Sequence, residues 1–405
     1  MKAMVLCGGK PQEYLVKELK NIGYTVLVVD QNELAPAVLL ADKYFSVSPL
    51  DVDRVRKIAI EEHVDFVMSV CADQMLLVAA QVSEELGLPC YIDYETAKNV
   101  SSKEYMKRIF VENNIPTSKH IVRESLDLVD VQEMKYPLIV KPVDCYSSRG
   151  VKRVETDEEL RIAFENAVKL SRTNNAVIEE FVGGDEYSVD FYIENGEANL
   201  LCMRVLDKIP NYDGFVICRG RYPACLTDKM ENKIRVVGQQ IADAFGLKDT
   251  PMLVQMKIDG ERISVIEFCA RTGGGIKYRL LPIVSGFDVV KAVMELTLGK
   301  KPHCDVKKYD GYIIDEFLYC NPGKLESIKG FEELQKAGVI DHYELYKKPG
   351  YEFKEASCSG DRVAYFSVKA DTKFELERLH QLAISGVSVL STEGKELIRK
   401  DIVKL

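Results

Sequence analysis

The feature that most constrains the fold is the alternation of short apolar runs with amphipathic segments over the first hundred residues. The runs KAMVLC, TVLVVD and VDFVMSV have the length and composition of buried strands, and the segments that separate them place apolar residues at helical spacing. Strands separated by segments of helical length form β-α-β units, in which neighbouring strands are parallel. The sequence therefore predicts an N-terminal parallel α/β domain over residues 1–100.

The turn after the first predicted strand bears on one class of cofactor. It reads CGGKPQE and lacks the GxGxxG spacing that brings a dinucleotide pyrophosphate close to the backbone. Asp30 ends the second predicted strand, which is the position of the ribose-binding acid in dinucleotide-binding domains. A nicotinamide-dependent dehydrogenase is therefore a weakly supported alternative, because the acid at the end of the second strand is present and the GxGxxG turn is absent. NADH binding would test it.

Composition and charge argue against several classes of protein. The 405-residue chain has a net charge of −9 and no tract rich in lysine and arginine, so bulk nucleic-acid binding is not expected. No segment approaches the ~20 apolar residues of a membrane span, and the first apolar run is too short for a signal peptide. The eleven cysteines occur singly, without CxxC spacing. These features predict a cytoplasmic protein with reduced thiols and with no membrane or nucleic-acid partner.

The pattern changes after residue 100. Residues 101–300 combine capped helices with strand-turn-strand patterns, and the turns fall at Asn195-Gly196 and near Asp259-Gly260. Residues 301–405 contain shorter strand-like runs and two helical segments, which predict a smaller C-terminal α+β domain. The predicted fold class is therefore α/β followed by α+β, the latter with antiparallel strands.

Two lysines lie at the boundaries of predicted elements. Lys103 lies just inside a helix that follows two serines, and Lys141 closes the apolar run PLIVK, so its ammonium would point into a cleft. The loop that follows, Asp144 to Gly150, includes Ser147 and Ser148, and its small polar residues would offer backbone donors to phosphates. Taken alone, each lysine is better explained as a solvated surface charge.

The segment AVIEEFVGG is an apolar strand that leads into two acids, an aromatic residue and a Gly-Gly link. Its strand-edge backbone groups and Phe181 would line a slot for adenine. The alternative is a strand that ends in exposed carboxylates and a loop. The residues alone leave both interpretations open.

The segment VIEFCARTGGG carries the densest group of chemical residues. Gln255 and Glu267 lie on the two arms of a predicted hairpin, and antiparallel pairing would bring them side by side. A carboxylate and an amide oxygen would hold Mg²⁺ against phosphates, and Arg271 would face developing negative charge. The glycines at 273–275 let backbone N–H groups approach an anion closely. The alternative is an exposed acid-base pair before a Gly-rich loop.

Taken in order, these motifs resemble the ATP-grasp superfamily. The order is Lys103, IVKP, the small-residue loop, EEFVGGDEYSVD, the strand with Gln255, and EFCARTGGG. The resemblance covers essentially the whole chain, and the C-terminal domain looks most like that of bacterial L-amino-acid ligases and more distantly like biotin carboxylase. It implies an ATP-grasp fold: a pre-ATP-grasp domain at 1–100, an ATP-grasp domain at 101–300 with a lid at about 115–183, and a C-terminal domain at 301–405.

The resemblance also implies roles for the matching residues. The residues implied to bind the nucleotide are Lys103, Lys141, Ser147, Ser148, Gly150, Glu179, Glu180, Phe181, Val182 and Glu186. Among them, Glu179 would take the adenine amino group and Glu186 the ribose hydroxyls. Lys141 and Arg271 would be catalytic, and Gln255 and Glu267 would hold the metal. The residues implied to face an anionic substrate are Lys208, Arg219, Arg221, Gly273, Gly274 and Gly275.

Two residues depart from the family pattern. Gln255 stands where the family usually has glutamate, and its amide oxygen can still reach a cation. Cys269 stands at the usual position of an asparagine, and a thiol is a poor ligand for the hard cation Mg²⁺. Cys269 is the sole support for one alternative, a non-catalytic ATP-binding protein.

The function that the resemblance implies is an ADP-forming carboxylate–amine ligase. It would act through an acyl phosphate on an amino acid or another small carboxylate, with ATP and Mg²⁺ or Mn²⁺ as cofactors. Its partners would be these small molecules, and homodimers are common among its relatives. The alternative enzymatic function is that of a carboxylase or carbamoyl-phosphate-type enzyme, which would use bicarbonate in place of an amino acid or another small carboxylate.

Overall fold

The computed structural model describes residues 1–145, 149–210, 215–356 and 358–403. Residues 1–112 contain, in chain order, β1 (Lys2–Leu6), α1 (Lys10–Asn21), β2 (Thr25–Asp30), β3 (Lys43–Ser46), α2 (Val52–Glu62), β4 (Phe66–Met68), α3 (Asp73–Leu86), α4 (Tyr94–Ser101) and α5 (Lys103–Glu112). The strands form a parallel sheet in the order β3-β2-β1-β4. This confirms the predicted N-terminal α/β architecture.

A second, smaller sheet lies between α5 and the main sheet in the chain. Its elements are β5 (His120–Arg123), β6 (Leu138–Pro142), β7 (Lys152–Val154), α6 (Asp157–Leu170) and β8 (Ala176–Glu180). The strands are antiparallel in the order β5-β8-β6-β7, and α6 packs on them through Leu160, Ala163 and Phe164. This sheet with α6 is called the lid below. Its closure over a nucleotide stays a prediction.

The largest sheet runs through the rest of the chain. Its first elements are β9 (Asp185–Glu194), β10 (Glu197–Lys208), β11 (Ile217–Tyr222), α7 (Asp228–Ala244), β12 (Thr250–Asp259), β13 (Arg262–Cys269), α8 (Lys277–Ser285) and α9 (Val289–Thr297). One buried core beneath the sheet joins α5 and α7 to it and includes Phe110, Phe191, Ile234 and Phe268. This packing fixes the strands that carry the predicted site residues.

The C-terminal strands extend the same sheet. The remaining elements are β14 (Tyr312–Leu318), β15 (Gly323–Lys329), α10 (Phe331–Lys336), β16 (His342–Leu345), β17 (Glu352–Phe353), β18 (Ala364–Ala370), α11 (Lys373–Gly386) and β19 (Ser388–Ser391). β14 pairs with β11, so the described strands form one sheet in the order β13-β12-β9-β10-β11-β14-β18-β16, and β17-β15-β19 form a small sheet beside it. The α+β prediction is confirmed, but the main sheet runs across the predicted boundary at residue 300 without a break.

Both predicted hairpins are present. Asn195 and Gly196 connect β9 to β10 with positive φ values of 52° and 89°, as a tight two-residue turn requires. β12 and β13 pair with Asp259 opposite Arg262, so the turn lies one residue beyond the predicted centre. No helix in the described part of the chain is both long enough and apolar enough to cross a membrane.

The Gly-Gly link between the lid and β9 provides a stability prediction. Gly184 has a φ of +80°, and an added Cβ would lie 2.1 Å from the carbonyl oxygen of Ile258. Gly184→Ala is therefore expected to lower the free energy of unfolding by about 2–4 kcal/mol, measured by urea denaturation. Gly183→Ala is the matched control, because its Cβ would meet only Asp259 Oδ2 at 3.7 Å. Equal effects of the two substitutions would contradict this account.

Candidate functional site

A pocket lies between the lid and the main sheet. The predicted site residues that line it are Lys103, Lys141, Glu179, Glu180, Phe181, Val182, Glu186, Lys208, Gln255 and Glu267. Its walls come from three elements that are distant in sequence: α5, the lid strands and the β12–β13 hairpin. Ser147 and Ser148 lie outside the described residues. Gly150, at the end of the predicted phosphate loop, has a φ of +75° and packs against Pro142.

The Glu179 side chain contacts two lysines and a hydroxyl. Its Oε1 accepts a hydrogen bond from Lys141 Nζ at 2.6 Å. Its Oε2 lies 2.9 Å from Lys107 Nζ and accepts from the Ser118 hydroxyl at 2.9 Å. Burial alone would raise the pKa of Glu179, but the two ammonium groups hold it well below its ordinary value. The carboxylate is therefore ionised and paired with cations, and its contact with an adenine amino group stays a prediction.

The residues after Glu179 form the connection between the lid and the main sheet. The backbone N–H of Glu180 donates to Lys119 O at 2.9 Å, so it is already occupied. The Phe181 ring lies 4.5 Å from the guanidinium carbon of Arg153, which gives the pocket an aromatic wall. Contacts of adenine with Phe181 and Val182 stay a prediction.

Glu186 lies on β9 with its carboxylate facing a lysine and an amide. Lys208 Nζ lies 2.9 Å from Glu186 Oε2, and Gln255 Nε2 donates to Glu186 Oε1 at 3.4 Å. Lys208 also donates to the carbonyl of Phe215 at 3.0 Å. Lys208 therefore lines the same pocket as the predicted nucleotide residues, and its contact with a substrate stays a prediction.

Gln255 and Glu267 are directly opposite each other across the β12–β13 pair, as the hairpin predicts. Lys103 Nζ lies 3.4 Å from Glu267 Oε2 and donates to the Cys145 carbonyl at 2.8 Å. Among the described residues, no cluster of three His, Cys, Asp or Glu side chains is arranged to hold a metal ion. The two oxygen donors fit a hard cation such as Mg²⁺ if phosphate oxygens and water complete its shell.

A second pocket adjoins the first and shares Lys103, Cys145, Gln255 and Glu267 with it. Its far wall contains Arg271, whose Nε donates to Asp73 Oδ1 at 2.5 Å and whose terminal nitrogen donates to Asp73 Oδ2. Burial would lower the pKa of Arg271, but the Asp73 carboxylate raises it above its ordinary value. The pocket therefore contains a guanidinium that is always charged and that Asp73 holds in one position. Such a group can stabilise negative charge on a ligand.

The charged side chains of the second pocket are balanced. Its described lining contains three cations, Lys103, Arg172 and Arg271, and three carboxylates, Asp73, Asp144 and Glu267. Each cation has an acidic partner: Lys103 lies 3.4 Å from Glu267 Oε2, Arg172 Nε 3.3 Å from Asp144 Oδ2, and Arg271 contacts Asp73. The remaining lining includes apolar side chains such as Leu77 and Met106. A ligand with equal positive and negative charge suits such a pocket.

The glycines that follow Arg271 lie behind the two pockets. Gly273 packs so closely that an added Cβ would lie 3.0 Å from both Leu253 and Lys277, and Gly275 has a φ of +67°. An added Cβ on Gly274 would face the Cys71 carbonyl at 3.6 Å. None of the three is among the described lining residues of either pocket. Their approach to a substrate carboxylate stays a prediction.

Arg219 and Arg221 are not among the described lining residues of either pocket, which does not favour the substrate role implied for them. The two residues are two apart on β11 and therefore share one face of the sheet. Arg219 is 5% exposed, and its Nε donates to Glu316 Oε2 at 2.6 Å. Arg221 makes a two-point contact with Asp207, at 2.8 and 3.0 Å. Acids on neighbouring strands thus pair with both side chains.

Cys269 lines the second pocket as a buried, protonated thiol. It is 8% exposed, and its Sγ donates weakly to the Arg271 carbonyl at 3.8 Å. Burial raises the pKa of this thiol to about 12. A neutral thiol is a poor ligand for Mg²⁺, so the predicted metal site would depend on Gln255 and Glu267.

The state of Cys269 gives a labelling prediction. Iodoacetamide reacts with thiolates, so at pH 8 Cys269 is expected to stay unmodified in the folded protein while the exposed Cys225 is alkylated. Peptide mass spectrometry measures both positions in one sample, and a urea-unfolded sample shows that both can react. Alkylation of Cys269 as fast as Cys225 in the folded protein would contradict its burial.

Three residues of the site were not predicted from the sequence: Lys107, Asp73 and Arg172. Lys107 lies one helical turn after Lys103, so its spacing on α5 was an available signal. Asp73 follows the carboxyl end of β4, where parallel sheets place ligand-binding residues. Arg172 lies in the turn between α6 and β8, and its sequence carries no comparable signal.

Three family models match successive parts of the chain. Residues 4–90 match the PylC-like N-terminal domain, residues 134–279 match the ATP-grasp domain, and residues 316–390 match L-amino acid ligase C-terminal domain 2. These matches confirm the resemblance to ATP-grasp proteins. The matched ATP-grasp region contributes lining residues to both pockets, whereas Lys103 and Asp73 lie outside it.

Individual proteins are similar over different lengths. A formate-dependent phosphoribosylglycinamide formyltransferase from Prochlorococcus marinus is 27% identical over 207 residues, which is 50% of this chain and 53% of that relative. The chain thus aligns with about half the length of that protein. Its fold is similar to L-amino acid ligase from Bacillus licheniformis, with a TM-score of 0.83 at 19% identity over 96% of this chain and 98% of the other. Phosphoribosylglycinamide synthetase from Anaerococcus prevotii gives a TM-score of 0.76 at 19% identity over 96% and 99%.

Proposed function

We propose that this chain, a member of the ATP-grasp superfamily, is an ADP-forming carboxylate–amine ligase that acts on an α-amino acid. The observation that carries the proposal is the pair of connected pockets. The first presents the lysines expected to meet phosphates, and the second presents Arg271 among balanced charges. Glu267 lines both pockets, and therefore the predicted metal position lies at their junction.

The first pocket would bind ATP with its phosphates toward that junction. Lys141 and Lys103 would neutralise phosphate oxygens, while Phe181 and Val182 would contact adenine. Gln255 and Glu267 would hold Mg²⁺ or Mn²⁺, which when bound supplies charge neutralisation at the transferred phosphoryl group.

The proposed reaction has two steps and needs no covalent enzyme intermediate. In the first, a carboxylate oxygen of one substrate attacks the γ-phosphorus of ATP, the bond to the β-bridging oxygen breaks, and ADP leaves. In the second, a neutral amine attacks the acyl carbon of the resulting acyl phosphate, inorganic phosphate leaves with the bonding electrons, and the amine proton passes to solvent. Arg271 would stabilise the negative charge that develops on the transferred phosphoryl group and on the acyl oxygen. Lys141 and Lys103 would hold the phosphates in line.

The balanced charges of the second pocket favour an amino acid as substrate. Each lysine and arginine among the described lining residues of the second pocket has an acidic partner within 3.4 Å, and a zwitterion can insert between such partners. Asp73 offers a carboxylate for an ammonium group, and Arg172 and Arg271 offer guanidinium groups for a carboxylate.

Formation of ADP by the purified protein tests the proposal. The protein with Mg·ATP would be incubated with a pool of L-amino acids, with bicarbonate alone, and with neither, and product masses would be recorded. The expected result is ADP that depends on the amino acids, together with a product lighter by one water than the sum of two substrates. ADP formed with bicarbonate alone would instead support a carboxylase-type reaction. ATP binding without ADP in any pool would contradict the amino-acid ligase.

We further propose that the protein is cytoplasmic, because all eleven cysteines are free thiols, which suits a reducing compartment. We also propose that it forms a homodimer. Light scattering coupled to size exclusion measures the assembly: twice the 45.7 kDa chain mass supports a dimer, and a single chain mass contradicts it.

A further inference from the structure

A fully buried lysine lies directly beneath the nucleotide pocket. Lys107 of α5 is 1% exposed. Its ammonium donates to the Thr117 hydroxyl at 2.7 Å and to the Ser118 hydroxyl at 3.3 Å, and it lies 2.9 Å from Glu179 Oε2. Burial of an ammonium raises the free energy of the fold unless the group is paired and hydrogen-bonded. The contacts given above join Lys107 to two regions of the chain.

The first of these regions is the segment that enters the lid. The Thr117 hydroxyl donates in turn to the Val265 carbonyl at 2.9 Å, and the Val265 N–H donates to the Pro116 carbonyl at 2.7 Å. Lys107 is therefore hydrogen-bonded to a segment that is itself held on β13 of the main sheet. Its ammonium has a fixed position relative to the strand that carries Glu267.

The second region is the lid itself, through Glu179. Glu179 lies between two lysines, with Lys107 on Oε2 and Lys141 on Oε1. Lys141 is the only one of the two lysines that lines the pocket. Two cations share one carboxylate, so the cluster has a net positive charge, and that charge faces the pocket through Lys141.

We propose that Lys107 is a positioning residue for ATP: it shares the charge of Glu179, so that Lys141 is only partly neutralised and stays directed at the phosphates. Without Lys107, Glu179 has a single cationic partner and withdraws Lys141 from a phosphate. Lys107 does not touch the nucleotide, and its effect passes entirely through Glu179. The inference rests on the nucleotide-binding part of the proposed function and is independent of which substrates are joined.

The test measures the affinity of the purified full chain for the fluorescent nucleotide mant-ATP with Mg²⁺, without turnover. Lys107→Met is expected to weaken binding at least about tenfold, because an attractive charge is removed from the cluster. Arg108→Met is the matched control: the neighbouring side chain is exposed and pairs only distantly with Glu112, at 3.8 Å. It is expected to bind the nucleotide as the unaltered protein does. Thermal unfolding of each variant is recorded alongside.

A second substitution separates positioning from a merely structural role. Adding Glu179→Gln to Lys107→Met removes the carboxylate that would withdraw Lys141, and affinity is expected to recover about fivefold or more over Lys107→Met alone. A structural role predicts no recovery. If Lys107→Met does not fold, the double variant is compared with Glu179→Gln alone, and affinities that agree within about twofold are expected because Lys107 then has no acid to hold.

Three results would overturn the inference. They are unchanged mant-ATP affinity in Lys107→Met, weakened affinity that Glu179→Gln does not restore, or a double variant that binds much more weakly than Glu179→Gln alone. Failure of the ligase proposal is a separate result, because it is read from ADP formation by the unaltered protein and leaves these binding measurements unaffected.

Discussion

Arg271→Met is expected to lower the rate of ADP formation by about a hundredfold to a thousandfold while ATP binding stays nearly unchanged. Removal of one preorganised donor to a developing anion typically has an effect of that size. The guanidinium is held by the two oxygens of Asp73, so its position is set before any substrate arrives. Single-turnover ADP formation and mant-ATP affinity, measured on the same preparation, separate chemistry from nucleotide binding.

The Arg271 prediction needs two controls. Arg221→Met removes a guanidinium that also has a two-point contact with an acid but lies outside both pockets, and it is expected to leave turnover within about twofold. Asp73→Asn combined with Arg271→Met removes the unpaired carboxylate that the single change leaves behind. The double variant is expected to stay inactive. Recovery of turnover in it would mean that the unpaired acid, and not the missing guanidinium, causes the loss.

Glu267→Gln is expected to have the second-largest effect, a loss of about a hundredfold in turnover at limiting Mg²⁺. Glu267 is the one carboxylate of the predicted metal pair, and its replacement leaves two amide oxygens for a divalent cation that prefers charged oxygen ligands. Turnover is measured across Mg²⁺ and Mn²⁺ concentrations. Mn²⁺ binding in the presence of a non-hydrolysable ATP analogue, followed by electron paramagnetic resonance, gives a readout independent of activity.

A control for Glu267 lies on the same hairpin. Glu261 is at the turn, where it pairs with Lys229 at 2.5 Å and Lys233 at 3.3 Å on the protein surface. Glu261→Gln is expected to leave metal dependence unchanged, since exposed pairs contribute little. Unaltered Mn²⁺ binding and turnover in Glu267→Gln would remove this residue from the metal site.

The parts of the site that were predictable from sequence are those fixed by short-range pairing. Gln255 and Glu267 were expected side by side because one hairpin pairs the strands that carry them, but a register shift between Gln255 and Met256 is also needed to put them opposite each other. Lys141 could be placed because an apolar run that closes in lysine brings that lysine near one end of its strand. Local periodicity and turn residues indicate which strands pair, but they do not indicate an irregularity within the pair.

The parts that were not predictable depend on contacts between distant segments. The contacts of Glu179 within the protein were not foreseen, because they come from α5 and from the segment before the lid, 72 and 61 residues away. Arg219 was expected to face a substrate, but β14, which lies 97 residues further along, supplies Glu316. A side chain's charge does not reveal whether another element will neutralise it, and only the packed sheet shows this.

The most direct test of the central claim is the fate of the substrate's carboxylate oxygen. The protein would be incubated with Mg·ATP and amino acids whose carboxylates carry ¹⁸O, and the released inorganic phosphate would be analysed by mass spectrometry. A ligase that forms an acyl phosphate transfers one labelled oxygen to each phosphate released with product. Phosphate without label, formed at the same rate as ADP, would mean that water accepts the phosphoryl group and would contradict the proposed reaction.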